Sequence, residues 1–406
     1  MEKIKNFLVV LLAMTMCLLC FVTLIVMSGT NLSIKSIFTD ETEYENPDSQ
    51  KTVYKNMSIP YRISVVQGET VYTEQGITRT SQFYKDCEKL LFEAVGSMSQ
   101  LEECTREEYM DAIGSKSLVF SLSGRLPLYL MQMWSGGVDK YENYTSAVAL
   151  VRESKGVKVY FADDDSGKYY RSQTSSANAV IDEIIAGYTM SNGIIVDGMV
   201  LSEKPLSLPA YVINNEASFE TGVEESLLRA FGFNPYFAKT YQEPDGDKIY
   251  VEEDNVLSVS GNGSMTYRSS GMGMVLKNDG SATKHESVAL ASNKLYEISS
   301  ILYADHPEIT ADIIGVDEND GEISINAIIK LGGVPVSEDI SSAGVIVRNG
   351  GIVKMWIDMP VVTEDALVTV MSDVMAESLH DKDNGRYEII YTEENGKLVP
   401  VNSFVE

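Results

Sequence analysis

The sequence predicts an α+β protein: a single N-terminal transmembrane helix, then an extracytoplasmic multi-domain region of helices packed on antiparallel sheets. Three observations carry this. Phe7 to Met27 is one long apolar run. Segments with apolar residues at helical spacing alternate with short strand-like runs. From Asn192 onward there are nine Asn-Gly or Asp-Gly pairs, and none before it. These pairs tolerate the positive φ of tight hairpin turns.

Phe7 to Met27 has no charge, Gly or Pro, and Thr15 and Thr23 are its only hydroxyl-bearing side chains. As a helix it would be roughly 31 Å long, about the thickness of a bilayer's hydrocarbon core. Lys3 and Lys5 precede it, and Asp40, Glu41, Glu43, Glu45 and Asp48 follow. The positive-inside bias then places residues 1–6 in the cytoplasm and everything after the helix outside, in the cell membrane's exterior compartment. A cleaved signal peptide competes, since Val26-Met27-Ser28 precedes Gly29 as a passable cleavage site. The run exceeds the usual signal-peptide core, so a retained anchor is expected.

Residues 28–56 read as an acidic linker and 57–205 as a first α+β domain. Ile63 to Val66 and Thr70 to Tyr72 suggest a hairpin around Gln67-Gly68. Phe83, Cys87, Leu90, Leu91 and Ala94 share one helix face. Thr105-Arg-Glu-Glu108 is a capping-box pattern opening a short helix. Leu118 to Leu122 reads as a strand, Pro127 opens a helical turn through Trp134, and Ala147 to Val151 pairs with Val157 to Phe161. A further helix carries Ala177, Val180, Ile181, Ile184, Ile185 and Tyr188.

The remainder reads as one helix laid on one antiparallel sheet, used at least twice, over 206–283 and 284–406. In the first unit, Thr221 to Glu224 opens a helix carrying Leu227, Leu228 and Phe231 and stopped by Gly232. Strands follow near 247–252, 255–260, 264–268 and 272–277. In the second, a helix over 284–303 carries Val288, Ala291, Leu295, Ile298 and Leu302, before strands at 309–316, 322–331, 342–348 and 351–358. A third helix over 363–379, carrying Ala366, Leu367, Val370, Met371, Val374, Met375 and Leu379, is expected to pack on the last sheet, and two strands end the chain.

Composition and motifs exclude more than they assign. The 406 residues carry a net charge of −27, which repels nucleic acid. His285, His306 and His380 are widely spaced, and no Cys-x-x-Cys pair lies outside the apolar run, so no transition metal or other cofactor is expected. Asp163-Asp164-Asp165 and Asp317 to Glu322 read as solvated turns, since neither fits a calcium-loop register. Cys87 falls on an apolar helix face, where a buried thiol is expected, and a disulfide with Cys104 stays open. Tyr129 to Trp134 reads as a buried amphipathic segment. Ser281-Ala-Thr-Lys284 matches the Ser-x-x-Lys nucleophile pair of penicillin-binding proteins, but its companion patterns are absent. Ser281 is expected to cap the following helix instead.

Two stretches carry a resemblance: Leu227 to Gly271, with its Phe231-Gly-Phe-Asn234 helix stop, and Glu322 to Met359, with its Gly333-Val-Pro-Val336 turn. With the N-terminal run, they resemble YycH-type proteins and their shorter YycI-type relatives, membrane-anchored regulators of the WalK–WalR two-component system of Gram-positive bacteria. The stretch after the anchor, Ser28 to Phe38, departs from that pattern. The resemblance implies a non-enzymatic regulator whose membrane helix packs beside those of a sensor histidine kinase, with a YycI-like protein as a further partner. Thr15 and Thr23, eight residues apart and so nearly on one helix face, are the hydroxyls available for such packing, although each can also bond its own backbone. The sign of regulation is not specified. A Ser281/Lys284 hydrolase and a ligand-binding module are the alternatives from other classes.

Overall fold

A computed structural model describes residues 58–138, 140–196, 199–214, 221–244, 246–261, 263–277, 282–379 and 386–405. The apolar run with Thr15 and Thr23, the acidic linker, Ser281 and His380 lie outside the described residues. Among those described, no helix is long and apolar enough to cross a membrane.

Strands β1 (Arg62–Gln67) and β2 (Thr70–Gln75) form the first hairpin. Gly68, at φ +61°, takes the first central position of its two-residue turn. Helix α1 (Gln82–Gly96) buries Phe83, Cys87, Leu90, Leu91 and Ala94, the face read from the sequence. After β3 (Leu101–Cys104), Thr105 and Glu108 close the anticipated capping box on α2 (Arg106–Gly114). Strand β4 (Lys116–Pro127) leads into α3 (Leu128–Trp134), followed by β5 (Tyr144–Glu153), β6 (Gly156–Asp163), β7 (Lys168–Gln173) and α4 (Asn178–Gly187). The seven strands run in the order β2-β1-β4-β5-β6-β7-β3. Alternation along each strand gives the sheet two apolar faces. Leu118, Phe120, Val148, Leu150 and Phe161 pack with α1, α3 and α4. Val66, Val119, Ala149, Val151 and Tyr160 pack with Tyr109 and Ile113 of α2.

A small hairpin of β8 (Gly193–Val196) and β9 (Met199–Ser202) covers part of the second face, ahead of β10 (Leu206–Asn214) and α5 (Thr221–Ala230). Strands β11 (Lys239–Gln242), β12 (Lys248–Glu252), β13 (Asn255–Val259), β14 (Met265–Ser269) and β15 (Met274–Val275) follow. Helix α6 (Lys284–Leu302) then buries all five apolar positions anticipated for it. Its strands are β16 (Ile309–Asn319), β17 (Glu322–Leu331), β18 (Val334–Pro335), β19 (Ser342–Arg348) and β20 (Gly351–Asp358). Rather than one sheet for each helix, both strand sets join a single ten-stranded sheet, because β14 pairs antiparallel with β20. Phe231, just after α5, stacks on Tyr267 of β14 at 4.8 Å between ring centroids, and the cores of α5 and α6 are one cluster.

The third predicted helix is corrected. Residues 361–370 form strand β21 (Val361–Val370), and only α7 (Asp373–Ser378) is helical, capped by Ser372. Val361, Val362, Thr363, Val368, Thr369 and Val370 are β-branched and suit a strand, and β10 supplies the partner, from Leu206↔Val370 to Asn214↔Val361. Met371, Met375 and Leu379 are exposed, so the expected stripe does not pack on a sheet. Strands β22 (Arg386–Glu394) and β23 (Lys397–Val405) complete a four-stranded sheet of order β21-β10-β23-β22.

The Asn-Gly and Asp-Gly turns divide. Asp320-Gly321, Asn349-Gly350 and Asn395-Gly396 have positive φ at both residues and close the β16–β17, β19–β20 and β22–β23 hairpins. Asn192 instead serves as a brace: its side chain accepts from the Thr73 N–H at 2.7 Å and donates to the Thr73 carbonyl at 2.9 Å. Asp197-Gly198, Asp279-Gly280 and Asn384-Gly385 fall outside the described residues, as do Asp245 and Asn262, which open two more pairs.

Candidate functional site

Among the described residues, those singled out for chemistry do not assemble. Lys284 opens α6 and its ammonium lies 2.6 Å from Glu318, whose hydrogen bond raises the lysine's pKa. An acylating Ser-Lys pair needs a neutral lysine, and this one is held charged. The N-cap of α6 is Thr283, not Ser281: it accepts from the Glu286 N–H while Glu286 accepts from the Thr283 N–H. His285 stacks on Tyr129 at 3.8 Å and meets Glu142 at 2.8 Å, whereas His306 pairs locally with Glu308. Among the described residues no group of three His, Cys, Asp or Glu side chains is placed to hold a metal ion.

The acidic loops behave as turns. Burial works to raise the pKa of Asp163, but hydrogen bonds from Ser166, Asn143 and the Tyr144 N–H prevail and lower it. Asp317 accepts from Asn326 at 3.0 Å, and Glu322 pairs with Arg348. Cys87 and Cys104 are both free thiols. They sit in separate apolar clusters on opposite faces of the first sheet. Burial pushes both thiols up. Leu128, Tyr129, Leu130, Met131 and Trp134 of α3 are buried, as expected of that segment.

What the structure does assemble lies where the described chain begins. Lys330 of β17 and Asp312 of β16 form an ion pair of 2.7 Å, each side chain 1% exposed. The Ile59 N–H donates to the Asp312 carboxylate at 3.0 Å, and the Ile59 carbonyl accepts from Lys330 at 2.7 Å. Three residues on, Arg62 pairs with Asp373 of α7 at 2.9 Å, also buried, and donates to the Val200 carbonyl at 2.5 Å. Asp373 further accepts from the Ser202 N–H at 2.9 Å and from Gln75. Two buried ionic clamps thus seat Ile59 and Arg62 on elements more than 250 residues later, with backbone groups meeting part of the charges' hydrogen bonding.

Beside the second clamp is a cavity of about 270 Å³. Its floor is a cross-strand row on the α2 face of the first sheet. Arg62 lies opposite Ser121, Ser121 opposite Ala147, and Ala162 opposite Tyr169. Three small side chains between an arginine and a tyrosine leave a trough. The roof comes from α2 with Arg106, Tyr109 and Met110, from β9 with Met199 and Leu201, and from α7 with Glu377. Tyr109 and Tyr169 make one wall, 4.8 Å apart between centroids. None of this was visible in the sequence: the row has one member per strand and exists only once the register is known.

Among the described residues, three large antiparallel sheets and one two-stranded hairpin carry helices on particular faces, and buried charge ties distant segments together. Neither a protein-family model nor a curated protein sequence matches the chain. Among solved structures, the crystal structure of YycH from Bacillus subtilis matches with a TM-score of 0.56 at 14% identity, covering 86% of this chain and 96% of that one. The chain has a YycH-like fold.

Proposed function

We propose that the chain is a non-enzymatic, single-pass regulator of a cell-envelope sensor histidine kinase of the WalK type. The observation that carries this reading is the YycH-like fold over 86% of the chain. Phe7 to Met27 is the membrane helix, the N-terminus is cytoplasmic, and the folded region is outside the cell. Such a regulator needs no active site. A kinase poised between two helix arrangements is shifted by any partner that binds one of them better. The membrane helix packs beside the kinase's helices through van der Waals fit, with Thr15 and Thr23 offering hydrogen bonds, and a YycI-like protein joins the assembly. The ionic clamps hold Ile59 and Arg62, the start of the described chain, to the folded region.

The test exchanges Phe7 to Met27 for a polyleucine helix of equal length. Anchoring and orientation persist, because length and flanking charge are unchanged. Kinase output is expected to move to that of a strain lacking the protein, at normal protein abundance. Full regulation by the chimera would reduce the helix to a tether and move the contact to the folded region. Loss of regulation on Lys284→Ala, with the fold intact, would return the hydrolase reading.

A further inference from the structure

The ten-stranded sheet has one face under helices and one face toward solvent. Tyr250, Leu257, Tyr267, Val345 and Met355 lie on the side of α5 and α6 and are buried. The residues between them point the other way. There β13, β14 and β20 carry Ser258, Thr266 and Trp356, each half-buried. Register makes these three one cross-strand row, with Ser258 opposite Thr266 and Thr266 opposite Trp356. Neighbouring strands are about 4.8 Å apart, so the row spans about 10 Å. Beyond Trp356 it reaches Gly344 of β19. The indole leans over that glycine: a Cβ there would stand 2.5 Å from Cζ2 and 2.6 Å from Cη2. The missing side chain lets the ring come down onto the strand.

Two positions along, Arg268 of β14 lies directly opposite Lys354 of β20. Like charges so placed repel. Among the described residues neither has a carboxylate partner, in a chain with 59 acidic residues against 32 basic ones. The Lys354 ammonium stands 4.7 Å from the Trp356 ring centroid. The Trp356 Nε1–H and the hydroxyls of Ser258 and Thr266 also make no hydrogen bond among the described residues, and none of the three is sealed from solvent. An aromatic surface, a line of hydrogen-bonding groups and two uncompensated cations thus share one patch.

We propose that this patch binds an acidic sugar, one or two pyranose rings bearing a carboxylate or a phosphate. The ring lies against Trp356, because its axial C–H bonds meet the negative face of the indole. Its hydroxyls bond Thr266, Ser258 and the Trp356 Nε1–H, and its anion sits between Lys354 and Arg268. The flexible lysine stem lets the ammonium move off the indole and stay beside the anion. An anion without a ring leaves the indole unused, and a neutral sugar leaves the two cations repelling each other, so the patch selects a ligand with both features. The site goes beyond the membrane-helix reading and does not rest on it.

Trp356 is one of two tryptophans, and the other, Trp134, is 1% exposed, so the emission of the full-length chain reports on this face. The experiment titrates that chain, in a detergent without a sugar headgroup, with digalacturonate and glucose 1-phosphate. Cellobiose, acetate and inorganic phosphate are the comparisons. At least one acidic sugar should change the emission saturably and bind at least about tenfold more tightly than cellobiose, the worth of one charge-assisted hydrogen bond. Which of the two binds tells carboxylate from phosphate. Acetate and inorganic phosphate should not saturate at the same concentrations. Arg268→Gln with Lys354→Gln should lower the affinity for the acidic sugar to that for cellobiose. Trp356→Leu should abolish the emission change and weaken binding at least about tenfold by calorimetry, with melting temperatures showing that each variant is folded. No saturable response to either acidic sugar at millimolar concentration overturns the proposal. So does equal binding of cellobiose or of an anion without a ring, or an affinity unchanged in Trp356→Leu or in the double glutamine variant.

Discussion

Lys330 is the residue with most at stake in this fold. Its ammonium is 1% exposed and meets one carboxylate and one carbonyl, so removing it leaves Asp312 charged and buried. Lys330→Met is expected to cost about 3–5 kcal/mol in chemical denaturation. Lys330→Met with Asp312→Leu should recover much of that loss, because a buried pair replaced by apolar groups of similar volume is often neutral. If the double variant is no more stable than the single one, the charges serve mainly as anchors for the Ile59 backbone, not as partners for each other. By contrast the Lys284–Glu318 pair is 41% and 50% exposed, and Lys284→Ala should change stability by less than about 1 kcal/mol. The same rule of burial governs the thiols: Cys87, 0% exposed, should resist alkylation until the chain is unfolded.

Helices declared themselves by their ends and stripes, and this makes their pH dependence predictable. Glu286 has its pKa lowered chiefly by the Thr283 N–H, and Glu108 by the Thr105 N–H. A carboxylate depressed in the folded state adds stability above its unfolded value, 4.5 here, and loses it as pH falls through the folded value. The melting temperature of Glu286→Gln should therefore lie below that of the parent at neutral pH, and the gap should close once the pH is well below 4.5. A gap that persists in acid would mean that the charge contributes nothing. The same local signals made α1, α2, α5 and α6 legible in the sequence, and paired apolar runs around Asn-Gly or Asp-Gly gave the strands from 309 to 358. Two kinds of element were not legible. Strand β10 carries Pro209, which argues against an inner strand. It is tolerated because Pro209 lies at a register shift, where β23 pairs only with Tyr211 and Val212. With β10 hidden, β21 lost its partner. Its tail joined the apolar positions of α7 into a run that imitates one amphipathic helix, although Ser372, the cap between them, marks the break. The trough was illegible for a different reason: Ser121, Ala147 and Ala162 are unremarkable alone and become a floor only when three strands align.

At the scale of the whole molecule, the proposed function asks how the folded region could act on the membrane helix proposed for Phe7 to Met27. The clamps supply a physical route. Ile59 is held by β16 and β17, and Arg62 by α7 and β9, so a shift in any of these elements bears on residues 59–62. Those residues adjoin the acidic linker, which follows the apolar run. Under the proposed function, coupling along such a route would need only about 1–3 kcal/mol to alter a kinase's balance, less than the roughly 3–5 kcal/mol lost when one partner of a buried pair is removed. The route has meaning only if the linker and the folded region lie on the outer side of the membrane, which the Lys3 and Lys5 asymmetry against the acids at 40–48 predicts. Ser49→Cys, in a chain also carrying Cys17→Ala and Cys20→Ala, should react with a membrane-impermeant thiol reagent in intact cells. Cys87 and Cys104 should not compete, being 0% and 8% exposed, with thiols pushed up by burial. Labelling only after lysis would put the folded region inside the cell and remove the mechanical route together with the proposed orientation. Recovery of the labelled chain from the medium, free of membrane, would mean cleavage near Gly29. The folded region would then have to act by contact alone, and the polyleucine exchange would lose its target.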